Sequence, residues 1–221
     1  MKPEPLKKIS YIKQLIQAGE GRQLDFKFEI SDAKKIARTL SAFSNTIGGR
    51  LLIGVKDNGK ISGIQSDEES YMVESAAHIF CKPEVPYRIK KWFVEGKWVL
   101  EVDIPQSNAR PHFARDEHDK WIAYVRVDDE NIQANRVQVS VWKNQSKKNS
   151  AFISYKKEEK ALMDYLDENG EISFDKFMRV ARIGPQQAEN ILVNLILMDA
   201  IEMVLTSQMV RYRRKSSNYP D

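Results

Sequence analysis

Ser41-Ala42-Phe43-Ser44-Asn45-Thr46-Ile47-Gly48-Gly49-Arg50-Leu51-Leu52-Ile53-Gly54-Val55-Lys56-Asp57-Asn58-Gly59 contains the end of a helix, a glycine stop, a buried strand and a tight turn. From Asp32 to Ile47 the apolar side chains Ile36, Leu40, Phe43 and Ile47 recur at four-three-four spacing, the period of one helix face. Gly48-Gly49 supplies the left-handed freedom that a helix end needs. Leu51 to Val55 reads as a short buried strand, and Asn58-Gly59 as a hairpin turn with Ile61 to Ile64 as the returning partner.

On either side of that core the chain reads as α+β. Leu6 to Gln17 carries Ile9, Ile12, Leu15 and Ile16 at helical spacing. Leu24 to Phe28 alternates apolar and charged residues, the pattern of a strand with one wet face, which places Asp25 and Lys27 on that face. Downstream, Glu68 to Phe80 reads as a helix. Tyr87 to Val94 and Trp98 to Ile104 are strands joined at Glu95-Gly96-Lys97, and Trp121 to Val127 is another, with Ile122, Tyr124 and Arg126 alternating against Ala123, Val125 and Val127. A mixed sheet of about five or six strands with flanking helices covers these signals.

The composition breaks at 143–150, a polar stretch of Lys, Asn, Gln and Ser that reads as a linker between a domain at 1–142 and a smaller one at 151–221. In the smaller one, helices are expected over Lys156 to Glu168, over Phe174 to Val180 behind a Ser173 cap, and from Gly184-Pro185 to about Met198. Two strands, Ile201 to Leu205 and Met209 to Arg213, follow. Helix, helix, helix and two-stranded wing is the order of a winged helix-turn-helix.

The 221 residues, 42% hydrophobic and 30% charged, leave room for a real core. No apolar run approaches the roughly 18 to 20 residues that cross a bilayer, and the first residues lack the apolar block of a signal peptide. Cys81 is the only cysteine, so no intrachain disulfide forms. A cytoplasmic protein without a membrane partner is the expectation. The formal charge of +4 and pI near 9.0 lean weakly towards polyanions. Clustering is more informative: Lys143 to Lys148 holds three lysines, and Arg211-Tyr212-Arg213-Arg214-Lys215 is a compact basic end.

Chemistry-bearing residues are few. Glu20, Asp25 and Asp57 would converge at one sheet end if their strands were neighbours, and converging carboxylates suit a hard divalent cation. Lys27, two residues from Asp25, would then meet a phosphate. The plainer alternative is three solvated acids, with Asp57 serving only its turn. Of the three histidines, His78, His112 and His118, no pair has metal-ligand spacing on a helix. His112, in the loop Pro111-His112-Phe113, is a candidate ligand contact. Neither a phosphate-binding loop nor a Gly-x-Ser-x-Gly elbow is present, so classical nucleotide hydrolysis and acyl transfer have no support.

In the C-terminal module the third helix would be the recognition helix, its outward face offering Gln186, Gln187, Glu189, Asn190 and Asn194. Arg179 and Arg182 precede it, and Arg211, Arg213, Arg214 and Lys215 fall at the wing. A winged helix used for dimerisation or protein contact is the alternative.

The segment Glu20 to Gly63 resembles the AlbA-like domain of the Schlafen family, as found in bacterial proteins described as predicted transcriptional regulators. The matching residues are Glu20, Asp25-Phe26-Lys27, Ala42-Phe43-Ser44-Asn45-Thr46-Ile47-Gly48-Gly49, Leu52 to Gly59, and Gly63. Val102 to Ser107, Arg110-Pro111-His112 and Tyr124 to Val127 look like the same domain's closing strands, so the likeness spans about residues 6 to 140. It implies a DNA or RNA partner. In the animal members, the positions matching Glu20, Asp25 and Asp57 form a metal-dependent RNase site, which would use Mg²⁺ or Mn²⁺. Two departures stand out: Asp25 replaces the usual Glu, and Lys56 stands where those members often carry a second Asp. Those enzymes build their RNA groove from two such domains, so a single copy would act as a homodimer. The resemblance therefore implies a DNA-binding regulator, with a Schlafen-type endoribonuclease or a nucleotide- or partner-binding module as alternatives.

Overall fold

A computed structural model of the protein describes residues 5–145 and 156–215, with side chains from residue 11 onwards. The chain is α+β and divides into two units, Met1–Ala134 and Asn135–Asp221.

In the first unit, helix α1 (Pro5–Ala18) precedes strand β1 (Leu24–Lys27), helix α2 (Ala33–Asn45) and strand β2 (Gly49–Ile53). Helix α3 (Glu68–His78) and strand β3 (Cys81–Lys82) follow, then the hairpin β4 (Arg88–Val94) and β5 (Lys97–Ile104). Strands β6 (Phe113–Arg115), β7 (Trp121–Val127) and β8 (Glu130–Gln133) close the unit. Where the periodicity predicts one mixed sheet, there are two sheets of four strands, ordered β1-β2-β5-β4 and β3-β6-β7-β8. The short strands β3, β6 and β8 carry too few residues for alternation to mark them.

Helix α2 organises the unit. Asp32 caps it by accepting the Lys34 N–H at 2.8 Å. Ile36, Leu40 and Phe43 are buried in a core shared with Leu51, Ile53, Leu100 and Val102. Ile47, expected on that face, is 42% exposed because the helix stops at Asn45. The stop is enforced by Gly48, at φ +75°, whose N–H returns to the Phe43 carbonyl at 2.9 Å. A Cβ on Gly48 would stand 2.8 Å from the Ile104 carbonyl oxygen, and one on Gly49 would stand 2.5 Å from the Phe43 ring. The diglycine is therefore a packing requirement as well as a turn.

The Asn58-Gly59 turn forms, with Lys56 N–H donating to the Lys60 carbonyl at 3.0 Å, but the expected partner strand at Ile61 to Ile64 does not. Only a single bridge joins Val55 to Ile61. Gly54, at φ +91°, bends the chain out of β2, and both Ser62 and Gly63 donate to its carbonyl instead of continuing a ladder.

In the second unit, helices α4 (Arg136–Gln145) and α5 (Lys157–Asn169), strand β9 (Glu171–Ile172), helices α6 (Phe174–Ala181) and α7 (Pro185–Leu197), and the hairpin β10 (Ile201–Leu205) and β11 (Val210–Arg214) follow in order. Strand β9 adds to the hairpin to give the order β10-β11-β9. Ser173 accepts the Lys176 N–H and caps α6, and Pro185 opens α7, both as the sequence predicts. The predicted linker is partly helix: residues 143–145 finish α4, while 146–150 lie outside the described residues. Val137 and Val141 of α4 are buried with Ala188, Ile191, Leu192 and Phe177, so this helix belongs to the second core and not to the domain drawn at 1–142.

Candidate functional site

Strands β1 and β2 are parallel neighbours, with Asp25 level with Leu51 and Lys27 level with Ile53. Asp57 lies beyond the end of β2, past the bend at Gly54. Asp57 is exposed, at the turn. Asp25 does not sit on a wet face. It is 4% exposed, because Arg126 of β7 lies against it.

Arg126 is the centre of this site. Its Nη2 donates to Asp25 Oδ1 at 3.1 Å and to the Leu24 carbonyl at 3.3 Å. Its Nε donates to the Gly21 carbonyl at 3.1 Å, and Nη1 to Asn131 Oδ1 at 3.0 Å. The guanidinium also rests 5.1 Å from the centre of the Phe43 ring. A buried charge is tolerated when it is paired and its donors are satisfied, and here the planar fork finds an acceptor for each nitrogen. Lys27 Nζ stands 2.8 Å from the other Asp25 oxygen. Glu20, half-buried, accepts the Phe26 N–H through Oε1 at 2.7 Å. Burial raises the Glu20 carboxyl above the ordinary carboxylate range, the Phe26 amide opposes that shift, and the neighbouring Asp25 adds to it.

The structure thus brings Glu20, Asp25 and Lys27 together, and Asp57 is exposed at its own turn. These residues do not fit the divalent metal that a three-carboxylate site would hold. Asp25 is neutralised by two cations, Glu20 is engaged by a backbone amide, and among the described residues no group of three or more His, Cys, Asp or Glu is placed to hold a metal ion. No cleavage step is derived from them.

The Ser41-x-x-x-Asn45-Thr46 run fastens α2 to the second sheet. Asn45 Nδ2 donates to the His112 carbonyl at 2.8 Å and the Tyr124 carbonyl at 3.0 Å, while Asn45 Oδ1 accepts the His112 N–H at 2.8 Å. Ser41 Oγ donates to the same His112 carbonyl at 2.8 Å, and Thr46 Oγ1 accepts the Arg126 N–H at 2.9 Å. His112 is 1% exposed and is part of this clasp; burial lowers its pKa, partly offset by the Pro83 carbonyl at 2.9 Å from Nδ1.

In the second unit, Gln186, Gln187, Asn190 and Asn194 are exposed along α7, with Gln186 Nε2 donating to Asn190 Oδ1 at 3.2 Å. Glu189 is not on that face. It is 8% exposed and accepts from Arg136 Nε at 2.5 Å and from Ser140 Oγ at 2.6 Å. Its orientation depends on α4, which the sequence division assigned to the other domain. Arg179 and Arg182 are exposed and, among the described residues, have no ion-pair partner. The cations of the β10–β11 hairpin and its end are all engaged. Arg211 faces Glu171 at 3.5 Å, Arg213 binds Glu202 at 2.6 Å, Arg214 Nη2 binds Asp167 at 2.6 Å, and Lys215 binds Asp199 at 2.6 Å.

Arg126 and Asn131 are the site residues that sequence reasoning missed. The available signal was a guanidinium near the end of an otherwise apolar strand, Ile122 to Val127. No described helix is long and apolar enough to cross a membrane.

No curated protein matches the chain. Among solved structures, it is similar to the DIP2311 protein from Corynebacterium diphtheriae, at 20% identity and a TM-score of 0.45 over 66% of this chain and 29% of that one. It is also similar to the N-terminal domain of a RecG-related protein from Nitrosomonas europaea, at 19% identity and a TM-score of 0.40 over 58% of this chain and 92% of that one. The family model described as Schlafen, AlbA_2 matches residues 20–135, the span that contains both the Arg126–Asp25 pair and the Asn45 clasp, and the chain belongs to that family.

Proposed function

We propose that this protein is a DNA-binding regulator whose second unit is a winged helix that docks α7 on duplex DNA, as a homodimer. The observation that carries this reading is the inward turn of Glu189 onto Arg136 and Ser140. It removes the one acid from a helix face that otherwise offers Gln186, Gln187, Asn190 and Asn194. Asn and Gln are matched to the paired donor and acceptor of an adenine edge in the major groove. Arg179 and Arg182, at the end of α6 and the turn before α7, supply positive charge for flanking phosphates. The wing, by contrast, begins as a set of exposed ion pairs, each worth at most about 1 kcal/mol, so it contributes less net positive charge than its sequence implies. A two-fold dimer would place two α7 faces about 34 Å apart, one helical turn of DNA.

A mobility-shift titration on genomic fragments across a range of salt tests this. Arg179→Ala with Arg182→Ala should weaken binding and flatten the log-log salt dependence by about 1.8, the value for two lost phosphate contacts. An unchanged slope and affinity would remove α6 and α7 from the interface.

A further inference from the structure

We infer that strand β4, at the edge of the first unit's β1-β2-β5-β4 sheet, takes an added strand from a partner protein, an extended segment in which acidic and apolar residues alternate. This surface is distinct from the α7 face, and either reading can fail without the other. β4 is seven residues long and ends its sheet, so one side of its backbone has no partner strand. The turn decides which groups that side offers. Glu95 and Gly96, both at positive φ, form a two-residue turn closed by the Val94–Lys97 pair, and such a closing pair is hydrogen-bonded. Bonded and non-bonded pairs then alternate, which makes Phe93–Trp98, Lys91–Leu100 and Ile89–Val102 the non-bonded ones. The Trp98 carbonyl agrees, since it accepts the Ile64 N–H at 2.8 Å. The N–H and C=O groups of Ile89, Lys91 and Phe93 therefore point outward, and among the described residues none of them is bonded to another segment.

The two faces of that edge differ, and the difference names the occupant. Arg88 and Lys90, two residues apart, share one face; both are exposed and, among the described residues, neither has an ion-pair partner. Trp92, next on that face, is closed off by Tyr11, whose ring centroid lies 5.1 Å away. Ile89, Lys91 and Phe93 share the other face. Lys91 is bonded to Asp67 and carries no free charge, while Phe93 is 55% exposed with its ring centroid 5.0 Å from that of Trp98. A groove of about 380 Å³ opens on this face, lined by Ile64, Asp67, Lys91 and Trp98 among others. Side chains of an added strand alternate between faces, so acids belong level with Arg88 and Lys90, and apolar residues level with Ile89 and Phe93. Edge lysines alone would guard against pairing, but a guarded edge does not leave a phenylalanine open on it. Charge disfavours a second copy of this chain: antiparallel pairing centred on Ile89, Lys90 or Lys91 sets Arg88 against Lys90 or one lysine against its twin. In strand addition the backbone bonds give affinity and the alternate side chains give specificity, and both are on offer here.

The test is fluorescence anisotropy of a labelled peptide of alternating Glu and Val, titrated with the full chain at low salt. Arg88→Glu with Lys90→Glu should weaken binding at least about tenfold. The same double variant should bind a peptide of alternating Lys and Val that wild type refuses, which shows that it is still folded. Phe93→Ser should weaken binding of the Glu–Val peptide as well. Amide exchange followed by NMR should show new protection at Ile89, Lys91 and Phe93 when that peptide is added, and none at Lys90 and Trp92, whose amides β5 already holds. The inference is overturned if wild type fails to bind the Glu–Val peptide, if charge reversal leaves its affinity unchanged, or if those three amides gain no protection. Protection of the three amides in the free chain that rises with its concentration would overturn it in favour of a second copy.

Discussion

Arg126→Met is the substitution that most directly probes how the first unit is held together. It keeps much of the side-chain volume and deletes the four hydrogen bonds to Gly21, Leu24, Asp25 and Asn131. It also leaves Asp25, whose side chain is 5% exposed, without its buried counter-charge. Breaking a buried pair from one side costs about 3–5 kcal/mol, because the remaining charge is stranded. Lys27 stays within 2.8 Å of Asp25, but its side chain is 38% exposed, so it screens the stranded carboxylate only in part. The lower end of the range, about 3 kcal/mol, is therefore expected, which for a unit of this size lowers the melting temperature by about 10 °C. Scanning calorimetry of the full chain should show that loss in the transition of the first unit. Asp25→Asn in the Arg126→Met background should restore part of it, since the stranded charge is then gone, and the double variant should be more stable than the two single losses added together. A shift below about 2 °C for Arg126→Met, or strict additivity, would refute the argument that this pair is a buried electrostatic clamp.

Two further outcomes follow from the same geometry. Gly48→Ala puts a Cβ 2.8 Å from the Ile104 carbonyl oxygen at φ +75°, so denaturant titration should show a loss of about 2 kcal/mol or more; a neutral result would mean that the diglycine is not a packing constraint. Glu20 has its carboxyl raised in the folded state, chiefly by burial, so the folded protein binds that proton more tightly than the unfolded chain does. The stabilisation from this group is fully present below the ordinary Glu pKa and is lost as pH rises through the folded value. Glu20→Gln, whose amide oxygen still accepts the Phe26 N–H, should therefore flatten the stability profile over that window, and a variant with the wild-type profile would contradict the assignment.

The helix-strand core around Gly48-Gly49 was legible in the sequence because independent signals agree there: the Ile36-Leu40-Phe43 stripe, the Gly48-Gly49 stop and the Asn58-Gly59 turn. The three short strands β3, β6 and β8 were not, since two to four residues carry no measurable alternation. Asp25 was misplaced on a wet face for a physical reason. Alternation reports polarity and not exposure, and a charged residue opposite a buried arginine has the same pattern as one facing water. Glu189 was misplaced similarly, because helical spacing puts it beside Asn190 and only the packing of α4 turns it inward. The basic run at 211–215 was visible as charge, but its partners Asp167, Glu171, Asp199 and Glu202 lie elsewhere in the chain, and only the fold brings them to it.

Hydrogen exchange with and without a genomic DNA fragment that shifts in a gel tests the central proposal most directly. Protection concentrated on residues 182–197, with little change along 201–215, is the expected result. Duplex-dependent protection confined to the wing, or none in the second unit at low salt, would contradict α7 as the reading element.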